Sequence, residues 1–87
     1  MKSKTTSDFK KLYRKLPVEI RELAKKAYRL WSENHNHPSL QYKKLQGYKD
    51  LYSVRINQSY RVVGKLKEDT IYWFWIGSHA DFDDIFG

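Results

Sequence analysis

The sequence predicts an α+β fold: an N-terminal helical hairpin packed on a small twisted, mainly antiparallel β-sheet, closed by a short C-terminal turn or helix. Three observations carry that reading. Between Phe9 and Trp31 the apolar residues recur at helical spacing. From Leu51 to Gly77 they form short alternating or continuous runs rich in β-branched and aromatic side chains. Turn-forming residues separate those runs, so consecutive strands pair as a meander.

Taken in order, Met1–Thr6 is polar and basic, and is expected to fray or to form at most a weak edge strand. Ser7 is expected to cap a first helix whose apolar face is Phe9, Leu12, Tyr13 and Leu16. Pro17 stops that helix and can start a second. On the second, Ile20, Leu23, Ala24, Ala27, Leu30 and Trp31 form one stripe. Arg21, Glu22, Lys25, Lys26 and Arg29 lie opposite, as a solvated face. Glu33–Ser39 reads as a loop, since Pro38 forbids further helix. His35 and His37 there have no third ligand at suitable spacing, so they do not make a metal pair. Leu40–Leu45 is expected to be a short strand with Lys43 and Lys44 on opposite faces, and Gly47 to Asp50 turns the chain onward.

The next strand, Leu51–Asn57, sets Tyr52, Val54 and Ile56 on one face and Ser53, Arg55 and Asn57 on the other. For the apolar set to share a face with Tyr60 and Val62, the loop must hold an odd number of residues. Asn57-Gln58-Ser59 satisfies this, which pairs Ile56 with Tyr60 and Arg55 with Arg61. Like charges directly opposite each other are unfavourable unless an anion lies between them. The pair therefore marks an anion or acidic-partner site, unless both arginines reach solvent or the carboxylates Asp81, Asp83 and Asp84. Tyr60–Leu66 is the following strand, and Lys67-Glu68-Asp69 its turn. Thr70–Gly77 is almost unbroken in apolar character, as expected of a central strand covered on both faces. Trp73, Phe74 and Trp75 alternate faces along it and read as core rather than as a base-stacking platform.

Gly77 offers a sharp exit from this strand, and His79 emerges at its end. An imidazole there is suited to general acid–base work near neutral pH, or else fixes the turn by hydrogen bonding. Asp81, Asp83 and Asp84 with His79 suit Mg or Mn by ligand type. They cannot all face one point on a short helix, so no metal is expected. Phosphate-cradling glycine loops, nucleophile elbows and H-E-x-x-H helices do not occur, and no cofactor is expected.

Eighty-seven residues are read as one domain, 1–87, too small for a separate cofactor domain. The chain has no cysteine, which excludes disulfides and thiolate metal sites. No apolar run is long enough to span a bilayer and no signal peptide is visible, so a soluble, cytoplasmic protein is expected. The net charge of +7 is uneven. Residues 1–49 carry 13 Lys and Arg against 4 Asp and Glu, a balance of +9, and residues 50–87 carry 4 against 6, a balance of −2. A basic half of this kind attracts phosphate backbones or an acidic protein segment.

The run HPSLQYKKL, LYSVRI, YRVVG and WFWIGSHADFD, in that order, resembles the ParE-like branch of the RelE/ParE superfamily of type II toxin–antitoxin toxins, from about Phe9 to Phe86. The resemblance implies a compact toxin neutralised by an acidic antitoxin that covers the basic surface and groove. It also implies one of two activities. RelE-like members are mRNA interferases, metal-independent endoribonucleases that cut mRNA on the ribosome by attack of a ribose 2′-hydroxyl on the adjacent phosphate. ParE members inhibit DNA gyrase without cleaving RNA, and a relic would only bind its antitoxin. Carried onto this chain, Arg61 would clamp phosphate with Arg55 beside it, and His79 would act as general acid or base. Lys43 or Lys44 would steady the RNA backbone, with Phe82 supporting or stacking on the substrate. Arginine suits the clamp because its planar fork meets phosphate bidentately and keeps its charge. The first strand usual in the superfamily is expected to be short or missing.

Overall fold

The computed structural model describes residues 1–87. The chain runs β1 (Lys2–Thr5), α1 (Ser7–Arg14), α2 (Val18–Glu33), β2 (Lys43–Lys44), β3 (Leu51–Arg55), β4 (Tyr60–Lys67), β5 (Thr70–Ser78) and α3 (His79–Phe86), with a 3-10 turn at Pro38–Leu40. The sheet order is β1-β5-β4-β3-β2. Every pairing is antiparallel except that of β1 with β5. The expected α+β architecture is present, with five strands rather than four.

The added strand is β1. Its sequence, Lys-Ser-Lys-Thr, has no apolar alternation, and its order comes from pairing with the edge of β5. The Ser3 hydroxyl also lies 2.8 Å from the Tyr28 hydroxyl on α2. Thr6, not Ser7, caps α1: its Oγ1 accepts from Phe9 N–H at 3.2 Å. Helix α1 ends at Arg14, two residues short of Leu16, and Pro17 is the N-cap of α2. The expected strand Leu40–Leu45 shrinks to Lys43–Lys44, because Pro38–Leu40 coils as a 3-10 turn and Gln41 takes a left-handed φ of 46°.

The core lies between the hairpin and one face of the sheet. Trp31, Leu40, Val54, Ile71 and Trp73 are buried together there, with Phe9, Ala27, Leu30, Val62 and Leu66 against them. Trp31 and Trp73 meet edge to face at 5.2 Å. On the opposite face α3 folds back, setting Phe82 and Phe86 on Trp75 at 6.3 and 5.5 Å. A β-bulge produces this division. Gly64 pairs with Trp73 and Val63 with Trp75, leaving Phe74 as an extra residue. Simple alternation would put Trp73 and Trp75 on one face. With the bulge, Trp73 meets α2 while Phe74 and Trp75 both reach Phe86.

Candidate active site on the far face of the sheet

The three-residue turn forms as its pattern predicts. Arg55 stands opposite Arg61, Val54 opposite Val62, and Ile56 N–H donates to Tyr60 O at 3.1 Å. Asn57 locks the turn, since its Oδ1 accepts from the N–H groups of Ser59 and Tyr60 at 2.8 and 2.9 Å. The same turn holds both halves of the site. Asn57 O accepts from Arg61 Nη1 at 2.6 Å, and Ser59 O accepts the backbone N–H of His79 at 2.7 Å.

The start of α3 is fixed by Ser78, whose Oγ accepts from Asp81 N–H at 3.1 Å. His79 is thus the first helical residue rather than the cap, and its ring is left for other partners. Gly77 sits in the strand opposite Arg61 without left-handed backbone. Its role is space rather than a sharp exit: a Cβ there would meet the Trp75 indole at 2.6 Å.

These elements enclose a polar concavity of about 340 Å³ lined by Gln41, Lys43, Ser53, Arg55, Arg61, His79, Phe82 and Asp83. Five of the six expected site residues meet here: Lys43, Arg55, Arg61, His79 and Phe82. Lys44 does not; it pairs with Tyr52 and, as the next residue along the strand, turns to the other face. Ser53 was readable as a pocket residue, because it alternates onto the Arg55 face. Gln41 had no signal, since its position follows from the left-handed turn at its own φ.

No carboxylate lies within 4.0 Å of either guanidinium. Arg61 donates only to backbone carbonyls, of Asn57 at 2.6 Å and Tyr60 at 3.0 Å. Partial burial pushes its pKa below the usual arginine value, Arg55 pushes it the same way, and Asp83 opposes both. The site therefore holds excess positive charge that the fold leaves uncompensated. His79 Nε2 lies 3.4 Å from Asp83 Oδ1, one helical turn on. Of the three aspartates only Asp83 lines the concavity, and no three His, Asp or Glu side chains converge as a metal-ligand set. His37 caps the 3-10 turn by accepting from Ser39 N–H, and His35 packs on Trp31 and Tyr42.

A helical hairpin packed on one face of a five-stranded sheet is the fold of toxins from type II toxin–antitoxin systems. Solved structures share it. A chain of the RelB–RelE antitoxin–toxin complex from Methanococcus jannaschii superposes with a TM-score of 0.75 at 23% identity, over 95% of this chain and 98% of that one. The isolated RelE toxin of E. coli gives 0.69 at 21% identity, over 97% and 94%. The YoeB/ParE toxin from Agrobacterium tumefaciens gives 0.72 at 16% identity, over 91% and 99%. The sequence model of the ParE-like toxin domain matches residues 18–84, and the chain belongs to that family. No curated protein matches it by sequence.

Proposed function

We propose that the protein is the toxin of a type II toxin–antitoxin pair and acts as a metal-independent, ribosome-dependent mRNA endoribonuclease. One observation carries this reading: two unpaired arginines, a lysine and an imidazole from four different elements line a single concavity. Phosphodiester cleavage by a neighbouring 2′-hydroxyl needs those parts. Arg61 and Arg55 stabilise the charge that grows on the phosphoryl oxygens, where two donors of fixed geometry are most effective. Lys43 holds an adjacent phosphate, and Phe82 offers a ring face to a base. His79 takes the 2′-hydroxyl proton as the 2′-oxygen bonds to phosphorus. The P–O5′ bond breaks, the 5′-oxygen gains a proton from water, and His79 returns its own to solvent. The products are a 2′,3′-cyclic phosphate and a 5′-hydroxyl. Primer extension on mRNA during induced expression tests this reading: discrete new 3′ ends support it, and growth arrest with intact mRNA overturns it.

The partner follows from a second hollow, on the hairpin side of the sheet. An apolar groove of about 310 Å³ lies between hairpin and sheet, lined by Phe9, Tyr13, Ala27, Tyr28, Trp31 and Trp73, with Lys25 and Arg29 among its walls. It suits an antitoxin segment that carries apolar and acidic side chains together. The match to the ParE-like family favours a second reading, a binder of DNA gyrase without nuclease activity. Inhibited supercoiling beside uncut mRNA would select it.

A further inference from the structure

The concavity contains a carboxylate that the reaction above does not use. Asp83 lines it together with Arg55 from β3, Arg61 from β4 and Lys43 from β2. A negative charge there works against binding an anion, and its field is felt at Arg61. The same helix could carry its acidity elsewhere, as it does at Asp81 and Asp84, neither of which lines the hollow. The one aspartate set where it opposes anion binding is the one that meets the imidazole, with Oδ1 3.4 Å from His79 Nε2. That gap is a few tenths of an ångström beyond an ordinary N–H···O distance, and both side chains are exposed enough to close it by a small rotation.

A neutral imidazole has one N–H and one lone pair, and the partner of one nitrogen decides which atom carries which. A carboxylate at Nε2 retains the proton there and leaves the lone pair on Nδ1. We propose that Asp83 is a positioning residue for His79: it holds the Nε2–H tautomer and turns Nδ1 toward the concavity as the proton-accepting atom. The proposal rests on the nuclease reading. It states which atom takes the 2′-hydroxyl proton, and it assigns a use to a charge that otherwise only weakens substrate binding.

Two properties should move in opposite directions in Asp83→Asn. Removing the negative charge should tighten binding of an oligoribonucleotide carrying a 2′-deoxy sugar at the cut position. Losing the fixed tautomer should slow turnover on programmed ribosomes by about 10–100-fold. Asp83→Glu, which keeps the carboxylate, should recover part of the turnover. Nitrogen-15 spectra of the neutral His79 ring in the isolated wild-type protein should report the Nε2–H tautomer, and in Asp83→Asn a mixture. Tighter binding with undiminished turnover in Asp83→Asn would overturn the proposal and leave Asp83 a simple repeller of anions. A predominantly Nδ1–H ring in the wild type would overturn it as well. Messenger RNA left intact by the wild-type protein overturns the nuclease reading, and the positioning role with it, whatever the tautomer.

Discussion

Arg61 carries a charge that the surrounding chain makes costly and leaves unpaired. Its folded-state pKa lies below the unfolded one, because burial and Arg55 disfavour the proton more than Asp83 favours it. The charged residue therefore opposes folding throughout the neutral range, and the penalty fades only as pH rises into the strongly alkaline region. A guanidinium stays protonated at neutral pH, so an anion bound beside it would offset that cost. Arg61→Ala should then melt no lower than wild type by circular dichroism, while cleavage on programmed ribosomes falls by about 10²–10³. Arg61→Lys should recover little, since an ammonium cannot reproduce a two-pronged contact. A folded Arg61→Ala that cuts at full rate would remove Arg61 from the site. At this scale the sequence was informative wherever a strand period governed. The Arg55–Arg61 pairing followed from counting the residues of one loop. Gln41 did not follow, because its place depends on a left-handed turn that no nearby pattern announces.

Helix α3 supplies His79, Phe82 and Asp83 to the site and is held against the sheet through a short aromatic surface. It has only eight residues, no basic residue in its last turn, and a docking surface made of aromatic contacts. Phe86 is central to that surface, touching Phe74, Trp75, Phe82 and Tyr48. Phe86→Ala should cost about 1–3 kcal/mol, below the full value for a buried Phe because the residue is only partly covered. Hydrogen exchange should locate the loss: α3 amides should exchange faster while β3 and β4 stay protected. Uniform acceleration across the chain would mean that α3 is part of the global core instead. Gly77→Ala tests the other side of the same packing. Its Cβ would press on the Trp75 indole, so destabilisation of about 1–3 kcal/mol is expected, with loss of cleavage through displaced His79. Element types were legible from period and punctuation, but two features were not. Strand β1 exists through its partner rather than its composition, and the bulge at Phe74 cannot be seen in a run where every residue is apolar.

Over the whole molecule the charge is divided, +9 in residues 1–49 against −2 in the rest. Only one Lys–carboxylate pair forms, between Lys25 and Glu22, so most of the basic half faces outward uncompensated. Association with an acidic antitoxin should be steered by this field, and its on-rate should fall steeply with added salt in stopped-flow measurements. A rate indifferent to ionic strength would assign recognition to the apolar groove alone. No helix is long and apolar enough to cross a membrane. Fold class and the β3–β4 register are legible in the amino-acid sequence, because each rests on a local period. The far-face hollow is legible only in part: strand register brings Arg55, Arg61 and the start of α3 at His79 side by side, whereas Phe82 and Asp83 enter it only because α3 folds back over the sheet. The central claim is that this hollow cleaves RNA without a metal. The most direct test adds purified protein to ribosomes stalled on a labelled mRNA and analyses the ends, with EDTA held at a level the ribosome tolerates. The account predicts cuts bearing a 2′,3′-cyclic phosphate, unaffected by EDTA and lost in His79→Gln by about 10²–10⁴ in rate. Uncut mRNA, or cleavage undiminished in His79→Gln, would contradict it.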